Sequence, residues 1–353
     1  MSLTTLYDVA LGLLALVGAA ALALALMLAS PVRRPPALAS IHAGAIGIDG
    51  TGAPDLSRFQ ARDGTWLAYR LYPARNGGQD GIAILAHGSS ASSMEMNAVA
   101  KALAGAGVTA VALDFRGHGA SGTRGDIAYP GQLDDDFADL IAELRKTYPA
   151  ARFSLIGHSS GAGFALRIAG SKLGDAFERF VLLAPYLGHS APTNRPAAGP
   201  ALWASPDLPR ILVSVLLDKL GIDWPQSLPA VAFATAPEAK MFVTSQYSFR
   251  LMQNYTAPPD WRGAFAGAKG RIAVIAGADD ELMDAEAYRR ALPPLGVAVT
   301  IVPGVDHMGI VYIRRRRSRR SWRRWLKAVP DAGEFVSKRI AVATGARNLA
   351  RGA

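Results

Sequence analysis

The stretch Phe153-Ser154-Leu155-Ile156-Gly157-His158-Ser159-Ser160-Gly161-Ala162-Gly163-Phe164 joins a short apolar run to a helical pattern through a Gly-x-Ser-x-Gly turn. The run suits a strand buried on both faces, and Gly161 to Ser171 suits the helix that follows it. With 36 glycines in 353 residues, the pentapeptide alone is a weak signal; its place at a strand-to-helix junction is what makes it informative. There the two glycines permit a sharp turn with close backbone approach, which exposes the Ser159 hydroxyl at the edge of a sheet. The amide of Ser160, with a helix N-terminus behind it, then points at any oxyanion formed on a carbonyl that Ser159 attacks.

Working outward, further strand-like runs lie at Ile82 to Ala86, Val108 to Leu113, Phe180 to Ala184, Ile272 to Ala276 and Val297 to Val302. Helical patterns at Met94 to Ala106 and Leu133 to Lys146 separate some of them, and Phe59 to Arg62 and Thr65 to Tyr72 flank an Asp63-Gly64 hairpin turn. This succession predicts an α/β fold, a mainly parallel sheet flanked by helices, with ligands beyond the carboxyl ends of the strands. A second oxyanion donor is available, because Ile82 to Ala86 runs into His87-Gly88-Ser89-Ser90 and brings the Ser89 amide to the same edge.

The succession breaks between Ala184 and Arg271. The insertion, about 187 to 262, reads as a helical lid, with one helix after Asp207 closed by Gly221 and another from about Pro237 to Gln253. Trp203, Trp224, Met241, Phe242, Phe249, Met252 and Trp261 either line an apolar pocket beneath it or form its own small core.

The chain resembles the α/β-hydrolase superfamily, in its lysophospholipase-like, monoglyceride-lipase-like and serine-aminopeptidase-like branch. The resemblance covers roughly Phe59 to Met308. It rests on the Ser159 turn, the His87-Gly88 loop and Asp114-Phe115-Arg116-Gly117-His118-Gly119-Ala120-Ser121-Gly122, which looks like the structural turn of the family. The resemblance implies the chain order nucleophile, acid, histidine. Of six histidines, His307 in Pro303-Gly304-Val305-Asp306-His307-Met308 matches the base; His118 belongs to the structural turn, and His42 and His189 read as surface residues. The acid of the family falls three positions after the glycine that ends a late strand, which makes it Asp280, with Asp279 the substitute if the register slips by one. The implied activity is that of a serine hydrolase acting on a carboxylic ester, lipid or monoacylglycerol-like, through Ser159, His307 and Asp280, with Ser89 and Ser160 as the oxyanion hole. A catalytically idle membrane scaffold of the same fold is the alternative. No cofactor is expected, since cysteine is absent and no metal-ligand spacing occurs.

Two segments lie outside this pattern. Val9 to Ala29 is an uncharged apolar run long enough to cross a bilayer, so residues 1–30 read as a single-pass anchor, favoured over a cleavable signal peptide because no basic residue precedes the run. Residues 31–57 read as a linker and 58–353 as the hydrolase domain. Arg33 and Arg34 follow the span, which places that domain on the cytoplasmic side. The net charge of +10 is almost wholly local: 313–327 holds eight arginines and Lys327, and without them 29 basic residues face 28 acidic ones. That segment reads as a solvated basic helix, as a helix on anionic lipid, or least well as a nucleic-acid contact.

Overall fold

The computed structural model describes residues 2–312, apart from 47, 76–80, 196–201, 237–242 and 269. The basic segment 313–327 lies outside the described residues. An antiparallel hairpin opens the sheet, β1 (Leu56–Gln60) pairing with β2 (Trp66–Tyr72) across the turn expected at Asp63-Gly64. The parallel body comprises β3 (Gly81–Ala86), β4 (Thr109–Leu113), β5 (Arg152–His158) and β6 (Phe177–Leu183). β10 (Ile272–Gly277) and β11 (Ala298–Val302) complete it, and the strand order is β1-β2-β4-β3-β5-β6-β10-β11. β2 meets β4 antiparallel, and every later pairing in this sheet is parallel. All six residues of β3 and all five of β4 are buried, as continuous apolar runs require when helices cover both faces.

The covering helices are α3 (Asn97–Gly105), α4 (Gln132–Thr147), α5 (Ser160–Ala169), α8 (Trp261–Gly267) and α9 (Ala285–Ala291). One face of the sheet packs a cluster centred on Phe115, Phe137, Phe153, Phe164 and Phe177. The other packs Leu85, Met96, Val99, Leu103 and Ile156.

The insertion between β6 and β10 holds a small antiparallel sheet, β7 (Ala204–Pro206), β8 (Pro229–Phe233) and β9 (Gln246–Ser248), with helices α6 (Leu208–Lys219) and α7 (Phe249–Asn254). α6 begins as expected, with the Asp207 carboxylate accepting from the Arg210 amide. The helix expected from Pro237 to Gln253 is not one element. Its start, 237–242, lies outside the described residues, 246–248 pair as β9, and only Phe249–Asn254 is helical. Backbone pairing to β8 outweighs the helical spacing of Tyr247 and its neighbours, because Tyr247 and Phe233 then stack edge to face with ring centroids 4.6 Å apart.

At the N-terminus, α1 (Leu3–Ala29) is the one helix among the described residues long and apolar enough to cross a membrane, and none of it is buried. Its C-terminal end rests on α6. Ser30 donates to Asp207 at 2.9 Å, and Arg210 donates to the carbonyls of Leu28, at 3.0 Å, and Ser30. The expected linker is partly ordered, with α2 at Ala39–Ile46.

Candidate active site

The five sequence-predicted site residues follow four strands of the sheet, always at the carboxyl end. Ser89 follows β3, Ser159 and Ser160 follow the neighbouring β5, Asp280 follows β10 and His307 follows β11. Parallel pairing aligns these ends, so residues up to 218 positions apart in sequence meet at one edge.

The turn at Ser159 is strained and tightly enclosed. Ser159 has φ +51 and ψ −117, one of three non-glycine residues with positive φ among those described, a conformation that costs roughly 1–3 kcal/mol and persists only when the surroundings impose it. The imposition is visible in the backbone. The Ser159 amide donates to the Leu183 carbonyl at 2.9 Å, and its own carbonyl accepts from Gly163 at 3.0 Å and Tyr186 at 3.1 Å. A Cβ on Gly157 would lie 2.3 Å from the Gly161 carbonyl oxygen, and one on Gly161 would lie 2.2 Å from that of His87. Glycine is therefore required at both positions by backbone contact. The Ser160 amide is the first of α5 and has no acceptor inside the helix, so it is free to face a ligand. At the carboxyl end of the neighbouring β3, the Ser89 hydroxyl accepts from the Trp203 indole at 2.9 Å, which ties that loop to the insertion.

His307 is 2 % exposed and its Nδ1 lies 2.9 Å from Oδ2 of Asp280, itself 1 % exposed. The other oxygen, Oδ1, accepts from the backbone amides of Leu282 (2.9 Å) and Met283 (2.7 Å). Burial alone would raise the Asp280 carboxyl, but the His307 charge and hydrogen bond, with the two amides, outweigh it and hold the group below its ordinary value. For His307, burial pulls down and the Asp280 charge and hydrogen bond push up; the net direction is up. A carboxylate only accepts, so Nδ1 carries the proton and Nε2 is left with its lone pair. Asp279, the alternative acid, is exposed and has no such contact with the imidazole.

Ser159, Ser89 and His307 line a single cavity of about 540 Å³, a size within the range of small-molecule sites. Ile41, Met94, Trp203, Val243, Leu282 and Met308 make most of its wall apolar. Of the aromatic and methionine residues of the insertion that sequence reading offered as lining, only Trp203 lies in this wall among those described; Met241 and Phe242 are outside the described residues. Phe249 and Trp261 are buried in packing, and Trp224 is 59 % exposed. His42, expected on the surface of the linker, instead lines the cavity, because α2 folds back over it. His118 is wholly buried with Nε2 2.6 Å from the Tyr247 hydroxyl, as a structural role requires, and His189 is exposed.

One pair was missed by sequence reading. Glu95 and His158, 3 % and 1 % exposed, form a contact of 2.6 Å in the wall of the same cavity. Glu95 also accepts from the Gly88 amide at 2.9 Å, and His158 Nε2 lies 3.1 Å from the carbonyl of His307, whose ring centroid is 4.8 Å away. The pair thus bridges the Ser89 loop and the His307 loop. His158 is the variable residue of the Gly-x-Ser-x-Gly turn, and nothing in its spacing from Glu95 marks the two as partners.

The family model of serine aminopeptidase S33 matches residues 77–309. A monoacylglycerol lipase of Mycolicibacterium smegmatis is 29% identical over 162 residues, 45% of this chain and 52% of that protein, so the chain spans about half the length of this relative. Among solved structures, a soluble variant of monoglyceride lipase from Saccharomyces cerevisiae in complex with a substrate analog has a TM-score of 0.55 at 17% identity, covering 82% of this chain and 96% of that one. A membrane phospholipase A described as a bacterial virulence factor has a TM-score of 0.51 at 16% identity, covering 93% and 99%. At these identities the two structures carry the fold.

Proposed function

The chain belongs to the serine aminopeptidase S33 family of α/β-hydrolases, and we propose that it is a membrane-anchored serine hydrolase that cleaves a carboxylic ester of lipid or monoacylglycerol type. The observation that carries this reading is the Asp280–His307 pair opening on the same apolar cavity as Ser159, which is held in a strained backbone conformation.

In the proposed reaction Nε2 of His307 takes the hydroxyl proton as Ser159 Oγ attacks the acyl carbon, while Asp280 holds the tautomer and stabilises the imidazolium. The amides of Ser89 and Ser160 hold the oxyanion, each such donor typically contributing about 10²- to 10³-fold in rate. The imidazolium returns its proton to the departing alcohol, and water, activated by the same histidine, cleaves the acyl-enzyme.

The apolar wall and the monoacylglycerol lipase relative support a lipid ester. Membrane association is supported by α1 and by α6 beside it, whose Leu208, Leu212 and Leu216, with Leu220 at its C-cap, form an exposed apolar stripe one turn apart. In this reading residues 1–30 anchor the chain, 31–57 connect, 58–353 form the hydrolase domain with 187–262 as its lid, and Arg33 and Arg34 hold that domain on the cytoplasmic side.

A fluorophosphonate probe tests the chemistry. Covalent labelling of the full chain that disappears in Ser159→Ala is expected; a folded wild-type protein that resists labelling and cleaves no ester would overturn the reading. A reporter fused to the C-terminus that is active only outside the cytoplasm would overturn the orientation.

A further inference from the structure

The residues between the apolar span and β1 precede the family match, which begins at residue 77, yet they contribute to the cavity. We infer that Ile41, His42 and Ala45 on α2, with Ile48 and Gly50 after it, form a wall of the substrate site against which the hydrocarbon chain of the ester lies, so that Ile41 and Ala45 set the chain length accepted. The inference rests on the ester-hydrolase reading for its substrate and not on membrane anchoring.

Three observations carry it. Ile41, His42, Ala45, Ile48 and Gly50 line the same cavity as Ser159 and His307, and Ile41 is 6 % exposed, so this is packed wall rather than loose chain draped near the mouth. The segment is tied down at both ends. Before it, Arg34 donates to the Ser245 hydroxyl at 2.8 Å and the Leu38 amide to the Ala234 carbonyl at 3.3 Å, both in the insertion. At its far end, Asn97 donates to the Asp49 carbonyl and Lys101 to the Thr51 carbonyl, each at 2.6 Å, both donors on α3. The segment therefore spans from the insertion to the sheet-covering layer across one side of the site.

In the middle it touches the loop of the catalytic histidine. A Cβ on Gly44 would lie 2.6 Å from Cβ of Met308 and 3.3 Å from the Tyr312 ring, so α2 approaches this loop as closely as a helix without a side chain allows. Met308 adjoins His307 and lines the cavity too. The wall is thus seated against the reacting centre, and its apolar side chains offer contacts to methylene groups and none to a polar headgroup, His42 excepted.

The test compares full-length wild type, Ala45→Phe and Ala43→Phe. Ala43 lies on the same helix, is exposed and does not line the cavity, so it controls for the effect of a phenylalanine on α2 itself. The readout is the ratio of kcat/KM for p-nitrophenyl laurate to that for p-nitrophenyl butyrate. Since excluding even one methylene from an apolar pocket is worth 10-fold or more, Ala45→Phe is expected to lower the ratio by about tenfold or more, and Ala43→Phe to leave it as in wild type. Should Ala45→Phe fail to fold, Ala45→Leu is expected to shift the ratio in the same direction by less.

A ratio unchanged in the Ala45 variants, or lowered equally by Ala43→Phe, overturns the inference. Loss of turnover in Ser159→Ala shows that the measured activity belongs to this site. If wild type cleaves neither ester, the ester-hydrolase reading has failed while the wall is still decided by binding of dansylaminoundecanoic acid, which Ala45→Phe weakens and Ala43→Phe does not; equal binding by all three overturns it.

Discussion

Replacing Asp280 by asparagine changes one atom and isolates the role of the carboxylate. Oδ1 of Asp280 accepts from the amides of Leu282 and Met283, and Oδ2 faces Nδ1 of His307 at 2.9 Å. An asparagine keeps both backbone bonds only with its carbonyl oxygen in the place of Oδ1, which turns its NH₂ group toward the imidazole. Two donors then face each other, and the ring relieves the conflict by moving its proton to Nε2. That nitrogen can no longer accept from Ser159, so kcat is expected to fall by about 10⁴, close to 5.5 kcal/mol of transition-state stabilisation. The loss should come in kcat with little change in KM, since the residue lies behind the imidazole and outside the cavity wall.

The pH dependence follows from the same contact. In wild type the Asp280 charge outweighs burial and holds His307 above 6.5, so activity should fall as pH drops through that raised value. In Asp280→Asn burial acts unopposed by that charge, and the acid limb of the residual activity should move to lower pH. Stability carries a matching signature. Asp280, held below 3.8, contributes above that value and loses its contribution as pH falls. His307 contributes below 6.5 and loses its contribution as pH rises through its folded value. The stability gap between wild type and Asp280→Asn should be widest between those limits and narrow above neutrality. Steady-state hydrolysis of a butyrate ester across pH and urea melts measure both effects. An Asp280→Asn enzyme that keeps about a tenth or more of its kcat would refute the reasoning, as would an equal loss in Asp279→Asn, whose carboxylate is exposed.

Three more outcomes are expected. Glu95→Ala leaves buried His158 and the Gly88 amide without their partner and should destabilise the fold by about 3–5 kcal/mol in urea melts, with Glu95→Gln costing less; equal melts for all three proteins would deny the pair a structural role. Gly161→Ala forces a Cβ to 2.2 Å from the His87 carbonyl and should cost at least about 1–3 kcal/mol, read as a lowered Tm, whereas an unchanged Tm would mean the turn is looser than described. Leu212→Glu with Leu216→Glu, on the exposed stripe of α6, should slow hydrolysis of an ester embedded in vesicles much more than that of a dissolved butyrate ester; equal slowing would detach α6 from the bilayer.

Much of the sheet was legible because buried parallel strands must be short apolar runs, and the runs starting at Ile82, Val108, Phe153 and Ile272 lie within or along β3, β4, β5 and β10. The Asp207 cap and the closing Gly221 marked α6 for the same reason, since capping chemistry acts over three or four residues. The insertion was harder to read. The helix expected from Pro237 met a strand at 246–248, because pairing with β8 comes from residues well outside the local window. His42 was placed on the surface for want of any local sign that α2 would turn back onto the cavity.

Local chemistry in the chain was enough to mark the serine turn, the His87-Gly88-Ser89 loop and the alternation of strand and helix, because each depends on neighbours within a few residues. The family resemblance already chose Asp280 over Asp279, but the burial of Asp280 against the imidazole, the Glu95–His158 bridge and the turn of α2 onto the cavity were decided only by tertiary structure. Burial, which separates the two adjacent aspartates, and contact between residues 63 positions apart are properties of the packed sheet edge. No spacing along the chain encodes either one.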